Sequence, residues 1–444
     1  MTEVLHQRTT IDQSNLGRYQ ITIIALCSVV AMIDGFDTQA ISLVAPQMAH
    51  DLQIDMAHFG PIFGAGLLGS LIGSMLFGGL ADRFGRKPTL LFAVLLFAGA
   101  SLVTPFCRSF GLLVAIRFIT GLGLGGALPS IIAITAEYTP ARMRQTVIAG
   151  MFCGFPLGAV LGGMATAAAM PVLGWQSIFV AGGVIPLLLL PILALLLPES
   201  MAFLELKQKH QLLARIRSRL KLAPKTGGEV TAHPPKASVA SLFQEGRGVG
   251  TLLLWATLFL SMLLTYFLIS WLPLMSVRAG LDIRHAVMSV VTLNIGAILG
   301  CLVIGRLADR RGAVKVISTA FAIGSIAIAA IGLGDQSVAL LLAATFATGF
   351  LSIGAQMCAV ALTAAFYDTW LRATGIGWSS GISKIGAFVG PVLGGLLIGT
   401  GVLNGSFFLV PAFISVMAAG AVFALRHRMR PVSTSPAPQM ALQP

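Results

Sequence analysis

The chain has 444 residues, of which 56% are hydrophobic and only 10% charged, and its mean hydropathy is +0.89. A soluble globular chain carries about 25% charge, so this one cannot hide its apolar surface within itself and its solvent must be lipid. The net charge of +13 would suit a nucleic-acid partner, but its placement along the chain excludes that reading.

Residues 1–19 are polar, with Glu3 and Asp12, and do not read as a cleavable signal. They are expected to form a short cytoplasmic segment. Twelve apolar runs follow, at 20–44, 60–80, 89–107, 110–132, 146–169, 175–197, 250–273, 288–305, 314–333, 337–362, 373–399 and 404–425. Each is near the ~20 residues that cross a bilayer as helix. An even number of crossings puts both termini on one side. Arg108, Arg278 and Arg284 fall on the opposite side and Arg117 and Lys384 within spans; the rest of the 29 Lys and Arg lie on the side of the termini. That asymmetry assigns the termini to the cytoplasm, with attraction to the lipid bilayer's anionic headgroups as a by-product.

Charge inside a span is costly, so it is functional by default. The first span holds Asp34-Gly35-Phe36-Asp37. Carboxylates spaced i, i+3 share a helix face. Two so close, and desolvated, resist being ionised together, which suits a carrier that loads and unloads a proton. A structural ion pair with Arg117 or Lys384 is the plainer alternative. A third is magnesium bound by D-x-x-D in an intramembrane prenyltransferase, but Asp309 and Asp368 stand alone and supply no second acidic segment.

After the second span comes a charged loop, Gly78-Gly79-Leu80-Ala81-Asp82-Arg83-Phe84-Gly85-Arg86-Lys87. The fourth span contains Arg117 at the head of a glycine run, with Glu137 and Arg142 just beyond its end. A buried guanidinium stays charged and must meet a carboxylate or carbonyls. In the fifth span Gly154, Gly158 and Gly162 recur every four residues and let a neighbouring helix approach. The sixth ends at Leu197-Pro198-Glu199-Ser200.

Residues 198–249 form a polar linker, with a basic stretch that could be a surface helix and then a Pro- and Gly-rich part. The second half offers Tyr266 and Trp271 in span seven, Asn294 in span eight, Gln356 in span ten, and Trp378 and Lys384 in span eleven. Lys384 sits too near the centre of its span to snorkel and is the best anion anchor in the chain. Tyr266, Phe36, Asn294, Gln356, Trp271, Trp378 and Arg117 are candidates to complete a substrate site. Residues 426–444 read as a disordered tail.

The segment Leu80-Ala81-Asp82-Arg83-x-Gly85 returns as Leu307-Ala308-Asp309-Arg310-x-Gly312, and Gly158-x-Val160-Leu161-Gly162-Gly163 as Gly390-x-Val392-Leu393-Gly394-Gly395. Repetition once per half predicts an all-α membrane protein of twelve transmembrane helices in two pseudo-symmetric six-helix bundles, 20–197 and 250–425, with its site between them. Asp82, Arg83, Arg86, Lys87, Glu137, Arg142, Asp309 and Arg310 would then face one another at the cytoplasmic mouth, where opposite charges could latch it. No P-loop is present to drive ATP-powered transport. The five cysteines are scattered and the seven histidines lack metal spacing, so no cofactor or metal is expected.

At these residues the chain resembles the major facilitator superfamily. The Gly78–Lys87 loop is similar to that superfamily's signature loop, the Arg117 and Gly154–Gly163 runs to its span-four and span-five motifs. Within it, Asp34-Gly35-Phe36-Asp37, Ser270-Trp271-Leu272-Pro273 and Arg372-Ala373-Thr374-Gly375 resemble the aromatic acid:proton symporter family. The resemblance implies proton-driven uptake of a benzoate-type or hydroxylated aromatic carboxylate, by a monomer of the inner membrane, for ring catabolism. It implies functional acids at Asp34 and Asp37. Lys384 stands where many relatives have Arg, a point charge in place of a planar fork. Alternatives are a proton-driven efflux antiporter and a symporter for another organic acid.

Overall fold

The computed structural model describes residues 16–140, 142–220, 238–332, 337–368, 371–401 and 404–426. Among these, twelve helices are long and apolar enough to cross a membrane. In chain order they are α1 (Arg18–Leu52), α2 (Phe59–Phe84), α3 (Arg86–Val103), α4 (Phe110–Tyr138), α5 (Arg144–Phe152 and Gly154–Leu173), α6 (Gln176–Leu196), α7 (Gly248–Arg278), α8 (Ile283–Arg311), α9 (Ala313–Ile331), α10 (Val338–Phe366), α11 (Arg372–Gly399) and α12 (Leu409–Leu425). The fold is the all-α, two-bundle one read from the sequence. Several helices outrun their apolar runs. The 35 residues of α1 rise about 52 Å, more than the ~30 Å hydrocarbon core, so its ends stand in the headgroup layers.

The echoed loops have the same backbone. Gly85 closes α2 at φ 108° and Gly312 closes α8 at φ 92°, values that favour glycine. The tight reversal into α3 or α9 is therefore built twice from the same residues. The linker contains short helices Met201–Leu206 and His210–Arg219; the apolar side of the second, Leu213 and Ile216, is buried on the N-terminal bundle. The Pro- and Gly-rich part of the linker, the first fifteen residues and the tail beyond Arg426 lie outside the described residues.

The two bundles meet along α2 with α11, α5 with α8, and α1 with α7 and α8. These contacts crowd the side away from the chain termini. There Gly60 and Gly395 abut so closely that a Cβ on Gly60 would lie 3.0 Å from the Gly395 Cα, and Phe63 packs edge-on against Trp271 with centroids 5.5 Å apart. Met56 meets Arg278 on the same side. On the terminus side, Arg86–Glu137, Arg217–Glu205 and Arg247–Asp368 each join residues of one half. The halves thus touch from the far side down to mid-membrane.

Candidate transport site

The two carboxylates of α1 are divided between the halves. Asp37 is fully buried and turns inward to its own bundle. Ser101 of α3 donates to its Oδ1 at 2.6 Å. Arg117 of α4 lies 3.6 Å from its Oδ2 and donates to its backbone carbonyl at 3.4 Å. The guanidinium also stands 5.8 Å over the ring of Phe179 on α6. The pair is loose for its depth, since Asp37 Oδ2 and Arg117 Nε and Nη1 make no hydrogen bond. Such a pair holds α1 to α3 and α4, at a desolvation penalty that its geometry only partly offsets.

Asp34 is also buried, and the charged group nearest in effect to it belongs to the other half. An i, i+3 spacing leaves side chains about 60° apart around a helix, enough to direct them at different neighbours. Thr38 donates to Asp34 at 3.4 Å. Lys384 of α11 and Tyr266 of α7 lie within electrostatic reach of its carboxylate. The Lys384 ammonium donates to the Ser70 carbonyl of α2 at 3.4 Å, so it too bridges the halves. Lys384, Tyr266, Thr38 and Ser70 are only part-buried, which leaves room between the bundles at mid-membrane. The arrangement brings a carboxylate, a cation, a phenol and a hydroxyl to one level of the seam.

The remaining sequence candidates divide into two groups. Asn294 and Gln356 are buried in the second half. Asn294 exchanges amide hydrogen bonds of 2.9 and 3.3 Å with Gln39 of α1, a direct tie across the seam. Gln356 contacts Met262 Sδ at 3.7 Å. The aromatic candidates do packing work. Phe36 fills the space that a Cβ on Gly162 or Gly182 would need. Trp271 is fully buried and donates to the Pro391 carbonyl at 2.9 Å. Trp378 is 46% exposed and stacks on Trp255 at 6.2 Å, away from the acids.

On the terminus side Arg86 pairs with Glu137, and Ser200 donates to both Glu137 oxygens at 2.8 Å. Glu199 accepts from the backbone N–H of Arg86 at 2.8 Å and of Lys87 at 3.2 Å. Asp82, Arg83, Arg142, Asp309 and Arg310 are exposed, and nothing lies within 4 Å of where a Gly78 Cβ would be. The pairs Arg86–Glu137, Arg217–Glu205 and Arg247–Asp368 on this side each lie within a half. Sequence reasoning passed over Gln39, Ser70 and Ser101, because a lone Ser or Gln in a span carries no positional signal; Glu199 was noted at the end of the sixth span but given no role.

Two related six-helix bundles with ionisable groups meeting at mid-membrane define a secondary carrier. The comparisons with known proteins agree. The model of the Major Facilitator Superfamily matches residues 27–335 and again 290–443. The chain is 37% identical to the gallate transporter of Pseudomonas putida over 96% of this chain and 97% of that protein. It is 36% identical to the 4-hydroxybenzoate transporter PcaK of the same organism, over 89% and 90%. Among solved structures, the xylose transporter XylE from E. coli superposes with a TM-score of 0.73 at 16% identity, covering 95% of this chain and all of that one. An inward-facing bacterial homolog of the lysosomal transporter Spinster gives 0.73 at 16%, covering 94% and 98%. The chain belongs to the major facilitator superfamily, among its aromatic-acid transporters, and is an integral membrane transporter and not an enzyme.

Proposed function

We propose that the chain imports an aromatic carboxylate of benzoate or hydroxybenzoate type with protons, by alternating access, across the bacterial inner membrane. It works as a monomer with both termini in the cytoplasm, the side richest in Lys and Arg. The substrate class is that named for its relatives. The observation that carries the reading is Lys384 of one half bonding to the Ser70 carbonyl of the other at 3.4 Å, within electrostatic reach of the buried Asp34.

One ammonium cannot serve two carboxylates at once. While Asp34 is ionised it engages Lys384, and an incoming acid anion finds no free cation. A proton on Asp34 releases Lys384, and the substrate carboxylate takes its place. The loaded site is then charge-neutral apart from the balanced Asp37–Arg117 pair, which lowers the penalty of closing it off from water. The halves rock, the tie between Gln39 and Asn294 closes on the far side, and the seam opens toward the termini. There Asp34 loses its proton, recaptures Lys384 and expels the substrate. Asp37, held by Ser101 and Arg117, fixes α1 so that Asp34 moves with its bundle as one body. When the terminus side closes, the exposed Asp82, Arg83, Arg142, Asp309 and Arg310 and the Arg86–Glu137 pair are brought together as its latch.

Proteoliposomes under an imposed pH gradient test this. Uptake of labelled 4-hydroxybenzoate should run from the acidic to the alkaline compartment and above its equilibrium level. Movement toward the acidic compartment, in exchange for protons, would instead make the chain an exporter.

A further inference from the structure

Gln356 follows a π-turn, Gly349–Ile353, that interrupts α10. The extra residue of a π-turn rotates the helix beyond it by about 100°, so Gln356 stands on a face that an unbroken helix would not present. It is 6% exposed. Among the described residues its amide makes one hydrogen bond, from Nε2 to Met262 Sδ at 3.7 Å. A thioether is a weak acceptor, and among the described residues no hydrogen bond to Gln356 Oε1 is seen, so much of the amide's hydrogen-bonding capacity is open to a ligand.

Met262 lies one turn from Tyr266 on the same face of α7, a rise of about 6 Å. Tyr266 and Lys384 both lie within electrostatic reach of Asp34, and the helix that carries Lys384 packs on α7, with Gly386 against Phe259 and Gly390 against Leu263. A cation and an unspent amide therefore both neighbour this stretch of α7. The stretch itself carries a phenol ring and a thioether, both part-buried, and both suited to the edge and face of an aromatic ring. Such a set of groups suits a benzene ring with a carboxylate at one end and a polar substituent at the other.

We propose that Gln356 binds the ring hydroxyl of the substrate and so decides between hydroxylated and unsubstituted aromatic acids. The inference rests on Lys384 as the carboxylate anchor. The amide can accept from a phenol through Oε1 and donate to it through Nε2, and a site built to bond a hydroxyl penalises the analogue that lacks one.

The test compares 4-hydroxybenzoate, 4-methylbenzoate and benzoate as competitors of uptake by the full chain in proteoliposomes. The parent should prefer 4-hydroxybenzoate over 4-methylbenzoate by tenfold or more. Gln356→Leu should reduce that preference to within about twofold, lowering 4-hydroxybenzoate uptake more than benzoate uptake. If the leucine variant is poorly folded, Gln356→Met, closer in shape and equally unable to bond, gives the same readout. A retained preference in either folded variant, an equal loss for all three acids, or no preference in the parent overturns the proposal. Failure of the anchor reads differently. Lys384→Ala would then weaken the three acids no more than it weakens 4-hydroxybenzamide, whatever Gln356 does.

Discussion

Asp34 and Asp37 stand one turn apart on the same helix, and they have opposite surroundings. Asp37 is enclosed by its own bundle, with Ser101 and Arg117 as partners and no exposure. Asp34 has Lys384 and Tyr266 of the other half within electrostatic reach, among part-buried side chains. The contrast teaches that identical chemistry three residues apart can be assigned to different tasks by the helices that surround it. A carboxylate whose partner belongs to the same rigid bundle keeps that partner when the bundles move. One whose partner belongs to the other bundle has its pairing changed by the same motion, and is the better placed to link protonation to opening.

The sharpest way to break this comparison is to remove Arg117. Arg117→Leu strands Asp37 as a buried, unpaired charge, at a cost of about 3–5 kcal/mol. A large drop in thermal stability in detergent is expected, and adding Asp37→Asn should restore much of it. A stable single variant would show that the pair is not what holds α1.

Next come the acids themselves. Asp34→Asn should leave a folded carrier that still exchanges labelled for unlabelled acid but no longer accumulates it against a gradient. Asp37→Asn should lose accumulation and exchange together, with lower stability, because it leaves Arg117 uncompensated. Matching behaviour of the two variants would erase the distinction.

Lys384→Ala should weaken carboxylates by about 1.5–3 kcal/mol, the range for hydrogen bonds to charged groups, and their amides far less. Competition of acid and amide pairs for the same uptake measures it. The smallest effect is expected at the tie across the seam. Asn294→Leu removes its bonds to Gln39, worth about 1 kcal/mol net, and should shift the population modestly toward opening on the side away from the termini. Distances between spin labels placed on α1 and α8 at that side would report the shift, and an unchanged distribution would deny Gln39–Asn294 any part in closure.

Much of the architecture was legible in the residues. Apolar runs of near-membrane length gave all twelve crossings, because lipid forces every spanning segment into helix. The paired LADR-x-G loops announced the repeat, and Gly85 and Gly312 bear it out in matching left-handed backbone. The site was legible only as a set of residue types. Asp34, Asp37, Arg117 and Lys384 stood out because charge in a span is expensive. Trp271, Trp378 and Phe36 carried the same signal as any binding aromatic, and the structure uses them in packing. Gln39 and Ser101 carried none, although they make close polar contacts with Asn294 and Asp37.

By itself, the sequence determined that this chain lives in lipid, crosses it twelve times and is doubled, since each of these follows from composition and periodicity along one dimension. Only the tertiary structure decided that Asp37 faces Arg117 while Asp34 lies within reach of Lys384, and that the halves meet on the side away from the termini. Those facts depend on which helices become neighbours and on rotations of tens of degrees about their axes. Hydropathy is blind to both, because lipid rewards an apolar helix whichever way its few polar side chains point inward.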